Sequence, residues 1–261
     1  MSVAWFISTA VAPIYRKPDF RSEIVTQGLI WEKVTILEQR NGWVFIKMED
    51  EYRGWIHQFY ISEINIVIED YVFITDRFVN VLLDWNNKDS IKSILSFGSR
   101  IPLLDKTSKY FKIMLNCNTI GYINKQSNMK VKYKDDFIKI GSKLLGAPYL
   151  WGGKSSFGYD CSGLIQMIFK AVGIYFPRDT SQQFIYNKLK SINKKEAQSG
   201  DLIFFSKNNK INHIGLVVDK DNILHCSGQV KYDSINKKKI NFNKNLSKMD
   251  HTYFSTSDLF I

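Results

Sequence analysis

Short alternating runs of hydrophobic and polar residues dominate the first half of the chain. Residues 43–47 form one such run, and clusters of Asn, Gly, Asp and Lys separate it from the runs on either side. Side chains of a β-strand point alternately to opposite faces, so this pattern predicts short antiparallel strands with one buried face. The first half is therefore expected to be all β.

The pattern changes after residue 130. Phe137, Ile140 and Leu144 follow the spacing of one helix face and stop before Gly146, a residue type that often ends a helix. A second apolar stripe covers 162–172, and the three apolar runs that follow it predict strands. This part of the chain is thus predicted to be α+β, with helices first and strands later.

An internal repeat organises the all-β half. Several positions recur after a constant offset of 67 residues, which chance would rarely produce and which indicates two copies of one module. Each copy has enough short strands to close into a small barrel. The matched positions are Val34, Ile36, Leu37, Glu38, Trp43, Ile46, Gly54, Trp55 and Ile56, and their partners are Ile101, Leu103, Leu104, Asp105, Tyr110, Ile113, Gly121, Tyr122 and Ile123.

Composition limits the classes of protein to which this chain can belong. With 261 residues and 44% hydrophobic content, it can form more than one core. The formal charge is +11, but the lysines lie in polar runs without regularly interleaved aromatic residues, so we expect solvated loops and no nucleic-acid partner. No apolar run is long enough for a spanning helix, so membrane insertion is not expected. No signal peptide is evident, which predicts a cytoplasmic protein, or a periplasmic one if the numbered chain begins after a removed signal.

One of the three cysteines is placed for chemistry. Cys117, Cys161 and Cys226 form no CxxC pair, so neither a disulfide framework nor a zinc ribbon is indicated, and no cofactor or metal is expected. Cys161 directly follows Asp160 at the start of the second predicted helix, where the helix dipole and unpaired N–H groups favour the reactive thiolate. A buried, unreactive cysteine at a helix start is the alternative.

Two histidines could serve that cysteine. His213 lies at the start of an apolar strand and His225 on the next strand, at a spacing that predicts a hairpin with both imidazoles on neighbouring strands. A cysteine nucleophile needs a base within hydrogen-bond reach and a partner that orients the base. Cys161, His213 and His225 can fill these roles. The alternatives are two purely structural histidines, or a metal site that also includes Cys226.

The segments around these residues resemble the NlpC family of cysteine peptidases, over about residues 137–228. The resemblance implies a papain-like α+β fold and hydrolysis of peptide stems in murein. It also implies that Cys161 is the nucleophile, His213 the general base, His225 the orienting residue and Tyr149 a residue near the oxyanion. The segments are Tyr149 to Gly153 (Tyr-Leu-Trp-Gly-Gly), Asp160 to Gly163 (Asp-Cys-Ser-Gly), Pro177 to Gln183 (Pro-Arg-Asp-Thr-Ser-Gln-Gln), Gly200 to Phe205 (Gly-Asp-Leu-Ile-Phe-Phe) and His213 to Gly215 (His-Ile-Gly).

The all-β half is similar to bacterial SH3-like domains, through its strand spacing and the Gly-Trp-Ile that closes the first copy. The second copy has Tyr122 in place of that tryptophan, and an unrelated small β-barrel is the alternative. The expected fold class is therefore multidomain. Two small all-β SH3-like barrels, at 1–64 and 65–130, precede an α+β papain-like cysteine peptidase domain at 131–261.

Segments that begin at Arg21 and Tyr52 resemble, more narrowly, the SH3-like module of dipeptidyl-peptidase VI type enzymes. Such enzymes cut between D-glutamate and a diamino acid in stem peptides whose L-alanine amine is free, which implies a role in murein recycling. The first module is then expected to close one end of the active site, with Glu23, Tyr52 and Asp160 near the free amine. The implied substrate contacts are Glu23, Tyr52, Trp151, Asp160, Ser162, Asp179 and Thr180.

The expected partners are murein stem peptides, bound by a monomer. Two other functions stay open at this point. One is a wall-anchored hydrolase or amidase that acts on intact peptidoglycan. The other is a non-catalytic wall-binding protein, which a complete Cys-His-His set argues against.

Overall fold

The computed structural model describes residues 4–66, 68–126 and 134–260, and the chain divides into two compact units, Met1–Asn128 and Met129–Ile261. Across these described ranges, every helix is too short or too polar to cross a membrane. Strands dominate both units, and the α-helices lie in the second.

The first unit begins with a seven-stranded antiparallel sheet. Alternate residues of its strands are buried, as the alternation of polar and apolar residues predicted. Its core includes Ile14, Ile46 and Ile56, all fully buried. The strands are β1 (Ala4–Ile7), β2 (Val11–Tyr15), β3 (Ile24–Leu29), β4 (Lys33–Arg40), β5 (Trp43–Met48), β6 (Arg53–His57) and β7 (Ile61–Ile64), and they lie in the order β3-β2-β6-β5-β4-β1-β7.

The second sheet of this unit repeats the first. Its strands are β8 (Tyr71–Phe73), β9 (Phe78–Leu82), β10 (Ile91–Ser96), β11 (Arg100–Lys106), β12 (Phe111–Asn116) and β13 (Thr119–Ile123). They lie in the order β10-β9-β13-β12-β11-β8, which is the order of the first sheet without an equivalent of β7. Ile36 pairs with Ile46 just before a β-bulge in β4, and Leu103 pairs with Ile113 just before a bulge in β11. These pairs differ by 67 residues, so the strand register confirms the repeat.

Close packing explains why glycine occupies the same position in both copies. A Cβ atom on Gly54 would lie 2.5 Å from the Ile14 side chain, and one on Gly121 would lie 2.3 Å from the Val81 side chain. Real Cβ atoms do not approach other atoms this closely, so any other residue would push the strands apart.

The two sheets share part of one hydrophobic core. Ile30, Trp31 and Ile64 pack with buried residues of the second sheet, and the Trp31 indole N–H donates to the carbonyl oxygen of Met114 at 2.9 Å. The predicted boundary at residues 64 and 65 falls in the segment between β7 and β8. Because the core continues across this segment, the two copies form one compact unit.

Within residues 134–260, the second unit has three α-helices and a six-stranded antiparallel sheet. The helices are α1 (Asp135–Ser142), α2 (Cys161–Lys170) and α3 (Thr180–Phe184), and a short hairpin, β14 (Lys154–Ser155) with β15 (Gly158–Tyr159), directly precedes α2. Helix α2 packs against two strands of the larger sheet, β18 and β19. That sheet has the order β16-β21-β17-β18-β19-β20 and consists of β16 (Lys190–Ile192), β17 (Leu202–Lys207), β18 (Lys210–Val217), β19 (Asn222–Ser227), β20 (Gln229–Ser234) and β21 (Asp250–Ser255).

Candidate active site

Local sequence places Cys161 at the first residue of α2. Asp160 is the N-cap in an extended conformation, and its carboxylate oxygen Oδ1 accepts a hydrogen bond from the Gly163 N–H at 2.6 Å. A Cβ atom on Gly163 would lie 2.1 Å from the Gly153 carbonyl oxygen, so only glycine lets the helix lie this close to the preceding loop. The Asp-Cys-Ser-Gly segment therefore has a physical basis in capping and close packing.

A buried arginine forms an ion pair with the carboxylate of that cap. Arg178 is only 1% exposed, and its guanidinium binds both carboxylate oxygens of Asp160, at 2.9 and 2.6 Å. The same group donates to Ser162 Oγ at 3.0 Å. The sequence places Arg178 in the Pro-Arg-Asp-Thr-Ser-Gln-Gln segment without indicating a role for it. Only the folded chain buries this arginine beside Asp160 and so forms an internal ion pair.

The thiol of Cys161 is buried, with 8% of the residue exposed. Burial raises its pKa, and the negative charge of Asp160 raises it further. Hydrogen bonds from Thr180, whose Oγ1 lies 3.8 Å from Sγ, and from the backbone of Ile214 and Ser162 oppose this rise without cancelling it. The helix start acts in the expected direction, since the backbone hydrogen bond from Ser162 lowers the pKa of the thiol, but desolvation and the Asp160 carboxylate outweigh it. The resting group is a thiol that needs a base.

The sheet supplies a histidine directly next to the Ile214 backbone that contacts this sulfur. His213 lies on β18 and His225 on β19, and Gly215 is the residue that pairs with His225. The two histidines are thus diagonal neighbours on one face, as the hairpin spacing predicted. His213 Nε2 lies 2.7 Å from His225 Nδ1. A Cβ atom on Gly215 would lie 3.1 Å from the Cβ of His225, so the glycine leaves room for this ring.

The row of polar side chains continues onto β20. His225 pairs with Lys231, which places Asp233 diagonally next to His225 on the same face. Asp233 Oδ2 lies 3.1 Å from His225 Nε2 and also accepts hydrogen bonds from Lys231 and Asn243. Sequence reasoning missed Asp233. In the sequence, Gly228 could have indicated a tight turn that folds the next strand back beside His225. In the structure Gly228 has a positive φ of 72° and joins β19 to β20.

Burial controls the charges in this row. Burial and the neighbouring His225 lower the pKa of His213 from an ordinary 6.5 to about 3, although Asp233 acts in the opposite direction. His213 is therefore neutral near pH 7 and can accept a proton. Burial alone would raise the pKa of Asp233, but hydrogen bonds from His225, Asn243 and Lys231 lower it well below the ordinary value. Asp233 is therefore a carboxylate.

The loop before α2 carries two aromatic candidates. Tyr149 is partly exposed, and burial, followed by the charges of Cys161 and Asp160, raises its pKa to about 12. Its hydroxyl thus keeps its proton and can donate a hydrogen bond close to the sulfur. Trp151 is 61% exposed.

The remaining predicted substrate contacts fall into two groups. In the second unit, Ser162 donates to Asp160 at 3.2 Å, Asp179 caps α3 through a capping box with Gln182, and Thr180 contacts the sulfur. Of these candidates, Thr180 contacts the sulfur of Cys161, and Ser162 shares the Asp160 carboxylate that caps α2.

The other two candidates lie in the first unit. Glu23 forms an ion pair with Arg16, with 2.5 Å between its Oε2 and the arginine Nε. The Tyr52 backbone N–H donates to Asp50 at 3.2 Å.

The described side chains around His213 and His225 do not have the arrangement of a metal site. Among the residues that the structure describes, no group of three or more His, Cys, Asp or Glu side chains could hold a metal ion. Cys226 is fully buried, and its Sγ donates to the Tyr159 carbonyl oxygen at 3.1 Å.

Comparisons with known proteins agree with this arrangement. Residues 146–248 match the NlpC/P60 family, and residues 14–58 match the bacterial dipeptidyl-peptidase Sh3 domain. A gamma-D-glutamyl-L-lysine dipeptidyl-peptidase of Bacillus subtilis (strain 168) is 30% identical over 219 residues, which cover 77% of this chain and 72% of that protein. The enzyme of the same name from Bacillus cereus (strain ATCC 10987 / NRS 248) is 28% identical over 231 residues, covering 78% and 67%.

A solved structure extends the likeness to nearly the whole chain. The crystal structure of an NlpC/P60 family protein from Bacillus cereus ATCC 10987 superposes with a TM-score of 0.80 at 21% identity, covering 96% of this chain and 98% of that one. At this identity the likeness concerns the fold.

Proposed function

We propose, from the premise that this chain belongs to the NlpC/P60 family, that it is a cysteine endopeptidase that hydrolyses the bond between γ-D-glutamate and a diamino acid in murein-derived peptides. The observation that carries the proposal is the buried thiol of Cys161 at a helix start, hydrogen-bonded by the backbone of Ile214, the residue after His213, whose Nε2 lies 2.7 Å from His225 Nδ1. The names of relatives that match both units support the choice of bond.

The mechanism follows from the charge states. His213 takes the thiol proton as Cys161 attacks the γ-amide carbonyl, because a neutral thiol with a raised pKa is a weak nucleophile without a base. The tetrahedral intermediate collapses to a thioester, and the amine of the diamino acid leaves with the proton held by His213. Water, deprotonated by the same imidazole, then hydrolyses the thioester.

The developing oxyanion needs a donor. We assign this role to the hydroxyl of Tyr149, which keeps its proton because its pKa is about 12 and which lies close enough to Cys161 to sense its charge. Arg178 and Asp160 hold the start of α2, and hence the nucleophile, in place.

The substrate's free L-alanine amine is assigned to Glu23 and Tyr52. Both residues lie within the segment that matches the bacterial dipeptidyl-peptidase Sh3 domain, which supports this assignment. Five donors, two of them on Arg178, already converge on Asp160, so a substrate ammonium would be an additional partner for that carboxylate. Trp151, Ser162, Asp179 and Thr180 complete the proposed substrate contacts.

The organisation we propose is three domains, with SH3-like domains at 1–64 and 65–130 and the peptidase domain at 131–261. The strand order that the two sheets share, apart from β7, supports an SH3-like second copy. We further propose that the enzyme acts as a monomer, since all residues in the catalytic roles belong to one unit of one chain.

Product analysis tests the function directly. The purified protein should release L-alanyl-D-glutamate from a free-amine tripeptide, while intact sacculus and an N-acetylated tripeptide should react poorly. Mass spectrometry of the three digests identifies the cleaved bond. Efficient release of fragments from sacculus would instead indicate a hydrolase of the intact wall, and cleavage of the bond to muramic acid would indicate an amidase.

A second experiment tests the role of Glu23. Charge-assisted hydrogen bonds contribute about 1.5–3 kcal/mol, so Glu23→Gln and N-acetylation should each lower kcat/KM by about one to two orders of magnitude. The two losses should not add, because both remove one interaction. Glu38→Gln, at an exposed position of β4, is the matched control. If acetylation lowers kcat/KM equally in Glu23→Gln and the unmodified enzyme, Glu23 does not hold the amine.

A further inference from the structure

When both imidazoles are neutral, the hydrogen bonds between His213, His225 and Asp233 allow one arrangement of protons. Each neutral imidazole carries one N–H and one acceptor nitrogen, so a donor must face an acceptor at each contact. His213 Nε2 lies 2.7 Å from His225 Nδ1, and His225 Nε2 lies 3.1 Å from Asp233 Oδ2. An ionised carboxylate only accepts, so the hydrogen at the second contact belongs to His225 Nε2.

That assignment settles the first contact. With its hydrogen on Nε2, His225 presents an acceptor at Nδ1, and the hydrogen between the two rings therefore belongs to His213 Nε2. The nitrogen of His213 left without a hydrogen is Nδ1, the atom that a general base needs for the proton of Cys161. The opposite arrangement would set the lone pair of His225 Nε2 against a carboxylate oxygen, which is repulsive.

We propose that Asp233 is a positioning residue that keeps the hydrogen of His225 on Nε2 and, through it, the hydrogen of His213 on Nε2, so that Nδ1 of His213 can take the thiol proton. The inference rests on the proposed function for its catalytic consequence. It adds a residue to the Cys-His-His set and a reason for the strand register that brings Asp233 beside His225.

The surroundings of Asp233 are built to keep a single acceptor atom in place. Its Oδ2 also accepts from Lys231 Nζ at 3.1 Å and from Asn243 Nδ2 at 2.5 Å. Asp233 is buried, and His225 is fully buried. Three donors from different segments therefore converge on one oxygen, which leaves the carboxylate little freedom to turn away from His225. When His213 becomes an imidazolium, the same negative charge stabilises it through His225.

Kinetics of two variants provide the first test. Asp233→Ala removes the acceptor, and kcat should fall about 10- to 100-fold, the range for a charge-assisted hydrogen bond. Asp233→Asn should lose less, because three donors favour an amide oxygen at the position of Oδ2. KM should change little in both. Asp219→Asn is the control, since Asp219 also accepts hydrogen bonds near this sheet but none from a histidine.

A double substitution separates positioning from simple structural support. If Asp233 acts only through His225, Asp233→Ala should cause no further loss of kcat in a His225→Ala protein. A loss in that background as large as in the unmodified enzyme would overturn the proposal, because it would mean that Asp233 acts by stabilising β20.

Nitrogen NMR reports which imidazole nitrogens carry a hydrogen, and it does so independently of enzyme activity. In the inactive Cys161→Ala protein, ¹⁵N shifts should show Nε2–H and an unprotonated Nδ1 for both His213 and His225, and His225 should lose this preference in Asp233→Ala. Nδ1–H at His225 in the presence of Asp233 would overturn the proposal. A protein with these shifts that cleaves no murein peptide would contradict only the proposed function, and an active enzyme without them only the role of Asp233.

Discussion

The buried ion pair between Arg178 and Asp160 allows a quantitative prediction of stability. Arg178→Met keeps the length of the side chain but removes its charge and leaves the Asp160 carboxylate inside the protein. Removing one partner of a buried pair destabilises by about 3–5 kcal/mol. Asp160 would keep its hydrogen bonds from the Gly152 N–H at 3.0 Å, the Gly163 N–H at 2.6 Å and the Ser162 hydroxyl at 3.2 Å. The loss should therefore lie near the lower end, at about 3 kcal/mol.

Cysteine labelling measures this loss in the second unit alone. Cys226 is fully buried there, whereas Cys117 of the first unit is exposed and labels without opening. When closing is faster than alkylation, the labelling rate of Cys226 follows the population of opened molecules. A loss of about 3 kcal/mol should accelerate it about 150-fold. Mass spectrometry of the labelled peptides gives both rates in one sample.

Two controls decide whether the effect comes from the ion pair. Lys139→Met removes an exposed pair with Asp136 and should leave the Cys226 rate nearly unchanged, because such pairs contribute little. Adding Asp160→Asn to Arg178→Met removes both charges, so the combined loss should be smaller than the sum of the single losses. Acceleration of less than about tenfold in Arg178→Met, or full additivity, would refute the reasoning.

Three further predictions concern Cys161, the two histidines and Asp233. Cys161→Ala should abolish hydrolysis while Cys226→Ala keeps most of it, and product analysis of both proteins would contradict the assigned nucleophile if Cys161→Ala stayed active. His213→Ala should lower kcat about 10²–10⁴-fold, and His225→Asn should keep more activity than His225→Ala because its amide oxygen can accept a hydrogen bond; a wild-type rate for His225→Ala in steady-state kinetics would exclude the orienting role. Because folding lowers the pKa of Asp233, its ionised carboxylate stabilises the folded protein above the ordinary pKa of 3.8, and this stability is lost as pH falls through the lower pKa of the folded state. Acid unfolding, monitored by circular dichroism, should therefore begin at higher pH in Asp233→Asn.

Local patterns determined much of the fold and part of the site. The repeat appears in sequence because equivalent strands need the same buried positions, and the structure keeps even the bulge that follows Ile36 and Leu103. The Asp160 cap and Cys161 at a helix start are contacts within a few residues, which spacing alone can predict. The hairpin with His213 and His225 is also local, because a short turn sets the register of its strands.

Tertiary structure decided the electrostatics and the long-range partners. The pKa of Cys161 rises because the folded chain desolvates the thiol beside a carboxylate, and no sequence pattern reports that degree of burial. Arg178 pairs with Asp160 across 18 residues, and Asn243 reaches Asp233 from beyond the end of β20, so both contacts exist only after the sheet and helices have packed. A linear pattern indicates which residues can carry the chemistry, whereas solvent exclusion in the folded protein sets their charges and the direction of each hydrogen bond.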